Sequence, residues 1–269
     1  MASTGIFKWL KWILVLVGFL LLAAVLLPIL FKKQVVAKIA ETASKQINGK
    51  LEFGDVDLTL FKHFPSFTAA IVSPKVTSYV APDSSVLFSA KSLDITMSFW
   101  QLFKLKSGVQ INGLHLYDGY INIQQYADST ANYQIYEASP DTGTVASEPL
   151  MLKLENYELV NCTILYNDHS VGGMNISIKG LTHAGNGDFG NNLVHLNTTT
   201  TIDSISASTG LMTYLTQAQL NLKLDLDIDQ QQNLFTIRHH ALKLNEFNLD
   251  ATGKLKLMED DGIDMDLKL

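Results

Sequence analysis

Hydrophobic and polar residues alternate along most of the chain after residue 50. The clearest example is the stretch LNLKLDLDI, residues 220–228, in which every even position is aliphatic and every odd position carries Asn, Lys or Asp. Successive side chains of a β-strand point to opposite faces, so this pattern predicts a strand with one apolar face. Covering one aliphatic side chain is worth roughly 1.5 to 3 kcal/mol, so something apolar is expected to lie against this face.

Similar alternating segments follow one another from residue 51 to residue 269 and predict a mainly β fold. Asp118-Gly119, Gly172-Gly173 and Asp261-Gly262 accept the positive φ angles of tight hairpins, which predicts mostly antiparallel neighbours. No segment after residue 49 predicts a helix long enough to cover the aliphatic faces. Each face is therefore expected to meet a second sheet in a closed sandwich or barrel, its own curled continuation, or a guest such as lipid.

A continuous apolar run, WILVLVGFLLLAAVLLPILF, occupies residues 12–31 and contains no charged residue. As a helix it would be about 30 Å long, the thickness of the hydrocarbon core of a bilayer. Lys8 and Lys11 precede the run, and Lys32 and Lys33 follow it, as is typical of residues at the headgroups. Residues 8–33 are therefore predicted to be a transmembrane helix with its flanks, behind a short cytoplasmic tail of residues 1–7.

The remainder of the chain divides into four predicted regions. Residues 34–49 have a modest apolar stripe that predicts an amphipathic connector helix, with Asn48-Gly49 as its end. Residues 50–126 form a first β region. Residues 127–150 are polar and lack alternation, which predicts an exposed loop, and residues 151–269 continue the sheet. Residues 205–216 fit either a helix or an irregular strand.

Composition and charge exclude several function classes. The net charge is −6, and the four flanking lysines at the N-terminus leave the rest of the chain more acidic still, which argues against nucleic acid as a partner. Cys162 is the single cysteine, so an internal disulfide and multi-cysteine metal motifs are excluded. We expect Cys162 to be a small buried core residue.

The polar residues contain no convincing catalytic or metal-binding motif. His239 and His240 are adjacent and would point to opposite faces of a strand, and the segment NDHS at residues 167–170 is a predicted turn. The acidic segment MEDDGIDMD at residues 258–266 lacks the spacing of a calcium loop. We therefore expect no cofactor, no metal and no enzymatic activity.

Three segments resemble the AsmA family of cell-envelope proteins. Residues 47–78 combine a short helix ending at a glycine, a strand and an F-x-x-F-P turn formed by Phe61, Phe64 and Pro65. Residues 88–123 are similar to the family pattern of strand, Leu-rich bend and strand. Residues 242–257 resemble a recurrent segment in which Asn245 and Gly253 punctuate two strands. The order of these segments behind a membrane anchor carries the resemblance.

The resemblance implies a single-pass protein of the inner membrane with its β region in the periplasm. It further implies an elongated, curled sheet whose aliphatic groove holds acyl chains, with membrane lipids, phospholipid foremost, and outer-membrane assembly proteins as partners. The function would then be lipid transport or outer-membrane biogenesis. The candidate lining residues of this groove are Leu93, Ile95, Met97, Phe99, Leu220, Leu222, Leu224, Leu226, Ile228, Leu242, Leu244, Leu255 and Leu257.

Two alternatives accompany this expectation. The protein could be an assembly or scaffold factor for outer-membrane proteins, with a closed core and sheet edges that bind partner strands. An enzyme with residues spread over several strands is the weaker alternative. Family members are typically longer, and the chain stops at Leu269 within an alternating segment, so a fragment or short member with an incomplete sheet is expected.

Overall fold

A computed structural model of the chain describes residue 32 and residues 47–59, 62–63, 66–80, 84–98, 110–135, 151–187, 192–258 and 262–268. The predicted transmembrane segment, most of the predicted connector helix, Phe61, Phe64, Pro65 and Phe99 lie outside these ranges. Within them, no helix has the length and apolar character needed to cross a membrane.

The described residues form a single 15-stranded sheet. Its strands are β1 (Gly49–Glu52), β2 (Asp55–Thr59), β3 (Phe67–Val72), β4 (Lys75–Ser78), β5 (Ser85–Ser89), β6 (Ser92–Met97), β7 (Gln110–Tyr117), β8 (Tyr120–Gln125), β9 (Met151–Asp168), β10 (Met174–Asn186), β11 (Leu193–Thr209), β12 (Met212–Asp229), β13 (Leu234–Leu244), β14 (Phe247–Leu257) and β15 (Ile263–Lys268). The sheet is open, because its strand order ends at β1 and β2 on one side and at β15 on the other. A mainly β fold is confirmed, and within the described residues no second sheet packs on the first.

The eight short strands at the N-terminal end form four consecutive pairs, β1–β2, β3–β4, β5–β6 and β7–β8, and the two strands of each pair lie end to end. Hydrogen bonds join them sideways into two series: β1, β4, β5 and β8 in one, and β2, β3, β6 and β7 in the other. β7 and β8 then both lie parallel to the single long strand β9. Each of these consecutive pairs is thus one long strand that is interrupted near its middle. The β7–β9 and β8–β9 pairings are the only parallel ones among the described strands.

The rest of the sheet is a meander of long antiparallel strands. β9 and β12 each contain 18 residues, and every strand from β9 to β14 pairs with the next one along the chain. Strong alternation over so many positions favours this outcome, because a register slip of one residue would turn every apolar side chain to the other face. The ambiguous residues 205–216 belong to β11, β12 and the turn between them.

Irregular positions in neighbouring strands lie side by side across the sheet. They include residues with positive φ angles in or between strands: Ser73, Asp118, Asn161, Gly180 and Gln217. Left-handed residues within a sheet are typical of bulges, which bend a strand and increase its twist. We call this line of irregular residues the bulge row.

Backbone hydrogen bonds connect successive members of the bulge row. The Ser73 amide donates to the carbonyl of Lys91 at 2.9 Å, and the Lys91 amide donates to Tyr117 at 3.0 Å. The Asp118 amide then donates to Val160 at 2.9 Å. From the β3–β4 interruption to β9, the irregular positions are therefore in register with each other.

Two apolar clusters form the core, and both lie on one side of the sheet. The first joins Val56, Leu58, Phe67, Ala69, Ile71 and Met97. The second joins Leu116, Cys162, Leu181 and Ile202, with Phe88, Ala90, Leu93, Leu159, Ile164, Ile178, Ile205 and Leu220 packed against them. The bulge row divides the sheet into two parts, which we call its arms. The second cluster contains residues from both arms, so the two arms share one apolar side. Cys162 is fully buried there, as expected.

Three local predictions are wrong. Asp118-Gly119 does not close a hairpin, because β7 and β8 do not pair with each other and both pair with β9. Gly49 does not end a helix but begins β1. The segment after residue 126 is not simply exposed, since Ala131 and Asn132 are 1% and 0% exposed. Asn132 fills that site because its amide group bonds the backbone of Gln124 and Asn122.

Candidate functional site

Cross-strand register places the predicted lining residues on one side of the sheet, the apolar face. Two rows of neighbours cross this face from β3 to β14. The first is Ile71, Leu93, Leu116, Leu159, His183, Thr200, Leu222, Leu242 and Leu249. The second is Ala69, Ile95, Leu114, Tyr157, Gly185, Thr198, Leu224, His240 and Ala251.

The other predicted residues extend the same face. Leu220 pairs with Leu244, and Ile228 is linked to Leu255 through Phe235. Leu226 lies on β12 between Leu220 and Ile228 and pairs with Ile237. Leu257 pairs with Ile263 of β15, and Met97 pairs with Phe67 of β3. Phe99 lies outside the described residues. The residues of β6 and those of β12–β14 share a face but are not adjacent, because β7, β9, β10 and β11 lie between them.

The apolar face is covered at one end of the sheet and open at the other. Val56 on β2 and Phe67 on β3 have an exposed fraction of 0%, whereas Ile263 and Met265 on β15 are each 59% exposed. The aliphatic side chains of β12, from Leu220 to Ile228, are only partly buried. The side chains chosen from the alternating pattern are thus core residues near β3 and an accessible apolar surface near β12–β15.

A group of polar side chains interrupts the apolar face at its centre. Tyr157, His183, Thr198 and Thr200 occupy β9, β10 and β11 between the aliphatic residues of β6–β7 and those of β12–β14. We call these four residues the polar band. A side chain at Gly185 would meet the Tyr157 hydroxyl at 2.5 Å, so the absence of a Cβ there makes room for the Tyr157 ring.

His183 is the centre of the polar band. Its Nδ1 lies 2.7 Å from the hydroxyl of Thr200, its direct cross-strand neighbour, and its ring lies 5.5 Å from that of Tyr157. Burial lowers the pKa of His183 and raises the pKa of Tyr157, because the apolar surroundings disfavour the charged form of each group. Both groups are therefore neutral near pH 7 and can only exchange hydrogen bonds.

The opposite side of the sheet carries a buried charge. Asp94 on β6 is 0% exposed, and its carboxylate lies 2.6 Å from the Lys62 ammonium group, which comes from the turn between β2 and β3. The Ser92 hydroxyl donates a hydrogen bond to the same carboxylate at 2.6 Å. Because a buried carboxylate is costly without a partner, the ion pair holds the turn on the sheet.

Two histidines lie beside this ion pair. His63 from the turn stacks on His115 of β7, which also lies 3.7 Å from the Glu158 carboxylate. Burial, together with the neighbouring His63, lowers the pKa of His115. The buried atoms without a hydrogen-bond partner include both ring nitrogens of His115 and the hydroxyl of Thr68.

A third polar cluster lies on the same outer side of the long strands. Asp227 on β12 accepts hydrogen bonds from Arg238 at 2.5 Å and is also bonded to His195. Its burial opposes ionisation, but these two partners hold the pKa of Asp227 below its usual value. The three residues sit on adjacent strands and join β11, β12 and β13 across their polar face. The cluster is thus a cross-strand network on the polar face, and its contacts explain these three residues without a ligand.

None of these clusters has the geometry of a metal centre. Within the described ranges, no group of three or more His, Cys, Asp or Glu side chains is arranged to hold a metal ion. The chemistry that the described residues offer is therefore apolar contact over a wide face, with neutral hydrogen bonding at the polar band.

Sequence reasoning missed the polar band because it treated each polar residue separately. The signal was present in the alternation: Thr198 and Thr200 continue the parity of Val194 and Leu196, so they had to share the apolar face. Leu181 and Gly185 stand two residues from His183, so its own strand offers it no polar partner on that face. Its partner lies on the next strand, which only the register reveals.

Comparison with other proteins adds nothing to the geometry. The chain matches no protein-family model, no curated protein and no solved structure.

Proposed function

We propose that this protein binds lipid acyl chains on the apolar face of its sheet and contributes to lipid transport or outer-membrane biogenesis as a non-enzymatic envelope protein. The observation that carries the proposal is the apolar face, whose aliphatic rows become accessible from β12 to β15. A soluble domain rarely leaves such a face uncovered. Acyl chains would cover it without any specific polar contact.

The dimensions of the sheet suit this ligand. β12 has 18 residues, which at about 3.4 Å per residue corresponds to roughly 60 Å of strand. An acyl chain reaches about half the 30 Å hydrocarbon core of a bilayer. Even one arm of the sheet is therefore long enough for a whole chain, and a bend at the bulge row toward the apolar side would curl the sheet into a groove.

The proposed location is the inner membrane, with residues 12–31 as the single anchor and the sheet in the periplasm. Lys32, the first residue after that segment, pairs with Asp55 of the edge strand β2 at 2.8 Å. This contact supports an arrangement in which the β1–β2 end of the sheet lies nearest the membrane. Lipid leaving the bilayer would then meet that end first and the open β15 end last.

Site-specific photocrosslinking in cells tests the proposal. A photoreactive amino acid replaces Leu224, which is on the apolar face, and in a matched variant it replaces Lys223, the adjacent residue on the opposite face. We expect phospholipid adducts, identified by mass spectrometry, at position 224 and not at position 223. Replacement of both Leu222 and Leu224 by Glu should abolish lipid copurification. Equal adducts at the two positions, or none with a folded sheet, would contradict acyl binding.

The open edge of β15 supports a second candidate function. All six residues of Ile263–Lys268 are exposed, and one side of β15 has no hydrogen-bonded neighbour among the described strands. A partner strand could extend the sheet there, as expected of an assembly factor for outer-membrane proteins. Partner-dependent protection of β15 amides from hydrogen exchange, without bound lipid, would favour this function over acyl binding.

A further inference from the structure

The polar band lies amid aliphatic rows, and an acyl chain alone would offer its polar side chains no hydrogen-bond partner. Aliphatic residues flank it on both sides: Leu116 and Leu159 toward β7, and Leu222 and Leu224 toward β12. Thr198 is 4% exposed, and Tyr157, His183 and Thr200 are partly buried, so water has only partial access to this part of the face. Polar groups in such a place favour a ligand that brings its own polar group to them.

The hydrogen-bonding capacity of His183 and Thr200 defines that group. Neutral imidazole has one N–H, and the Thr200 hydroxyl has one O–H. The single hydrogen bond between His183 Nδ1 and Thr200 Oγ1 uses one of these two protons, whichever tautomer His183 adopts. The pair therefore keeps one donor for a third partner. A neutral donor in apolar surroundings suits an uncharged acceptor, because a charged ligand would lose more hydration than the donor could replace.

We propose that the polar band binds the ester carbonyl of a diacyl lipid, with the acyl chains on the flanking aliphatic rows. This inference rests on the proposed acyl-binding function and deepens it, since it fixes which part of the lipid lies at the centre of the sheet. In the bound state His183 Nδ1–H donates to Thr200 Oγ1, the Thr200 hydroxyl donates to the carbonyl, and Gly185 leaves the Tyr157 ring in place beside them. The ligand class is thus an ester-linked membrane lipid.

The test compares two lipids that differ only at the carbonyl. The full chain in detergent is titrated with dioleoyl phosphatidylethanolamine and with its dialkyl ether counterpart, and native mass spectrometry gives an apparent Kd for each. Thr200→Val removes the hydroxyl without changing the size of the side chain. Thr201→Val is the matched control, because Thr201 is the next residue on β11 and points to the opposite face.

The wild-type chain should bind the ester lipid more tightly than the ether lipid. Thr200→Val should weaken ester binding about fivefold to tenfold, the factor expected for one hydrogen bond, and leave ether binding unchanged. Thr201→Val should change neither. His183→Phe should weaken ester binding in the same direction but by less, because the Thr200 hydroxyl remains and loses only the partner that orients it. Thermal unfolding shows whether each variant is folded. If His183→Phe does not fold, the isosteric variant Thr200→Val decides whether the ester site exists.

Different failures overturn different conclusions. Equal affinities of the wild-type chain for ester and ether lipids, or equal effects of Thr200→Val and Thr201→Val, would overturn the ester site and leave acyl binding intact. Oleic acid is titrated in parallel. If Thr200→Val weakened the binding of oleic acid alone, the polar band would be assigned to a free carboxylate and the ester site would be overturned. Absence of binding by either phospholipid would overturn both this inference and the proposed function.

Discussion

His63 and His115 stack face to face, with ring centroids 4.2 Å apart and planes inclined by 11°. His63 comes from the turn between β2 and β3, whereas His115 lies within β7 and is only 7% exposed. Lys62 and Asp94 form an ion pair beside them. The stack thus joins a short turn to the middle of the sheet.

This relationship predicts that the protein is less stable in mild acid. Burial, and then His63, lowers the pKa of His115, so the folded state binds its proton less readily than the unfolded chain does. The contribution of His115 to stability is therefore complete above the ordinary histidine pKa of about 6.5 and is lost as the pH falls through the lowered pKa. Thermal unfolding of the full chain at pH 7.5 and pH 5.5 measures the effect.

A pair of variants assigns the pH effect. His115→Gln should reduce the difference between the two unfolding temperatures. His239→Gln is the control, because His239 is exposed on β13. If both variants kept the full pH dependence of the wild-type chain, His115 would not be its source.

Loss of the Lys62 charge should destabilise the fold strongly. In Lys62→Met, the Asp94 carboxylate would remain fully buried without its ion-pair partner, which typically costs about 3 to 5 kcal/mol. Lys91→Met is the matched control, since Lys91 lies 3.9 Å from the exposed Asp118 carboxylate, and it should cost under about 1 kcal/mol. Denaturant unfolding measures both. Equal effects of the two substitutions would show that the Asp94 ion pair does not hold the turn.

The gradient of exposure along the apolar face predicts unequal effects of the same substitution. Phe67→Ala removes a fully buried ring and should cost about 3 to 5 kcal/mol in the free energy of unfolding. Phe247→Ala removes a ring that is 59% exposed and should change stability by only about 0.5 kcal/mol. A large loss for Phe247→Ala would mean that the β14 end of the face is covered in solution, contrary to the open lipid surface that we propose.

The bulge row predicts a position that requires glycine. Gly180 on β10 has a φ of 65°, and a Cβ there would collide with the Asp203 side chain on β11. Gly172, in the turn before β10, has a similar φ of 76° but no atom within 4 Å of its Cβ position. Gly172→Ala should therefore cost about 1 kcal/mol from backbone strain alone, and Gly180→Ala should cost clearly more. Equal unfolding temperatures for the two variants would contradict close packing at the bulge row.

Alternation predicted the strands well where it was long and regular. The stretch from Leu220 to Ile228 is part of β12, and its even-numbered residues share one face, as the period of two requires. The predicted turn at Gly172-Gly173 does connect two antiparallel strands. Asp118-Gly119 has the same local chemistry but joins two halves of one interrupted strand. A dipeptide sets the local φ angles and does not decide which strand becomes the neighbour.

The sequence by itself determined that the chain forms strands, which face of each is apolar, and that Cys162 is a core residue, because these depend on local periodicity and on side-chain hydrophobicity. Only the tertiary structure decided that the strands join in one open sheet and that their bulges align. It also brought His183 next to Thr200 and buried Asp94 under Lys62. Such contacts depend on the register between strands that are distant in sequence, and register is fixed by the packing of whole faces and not by any single segment.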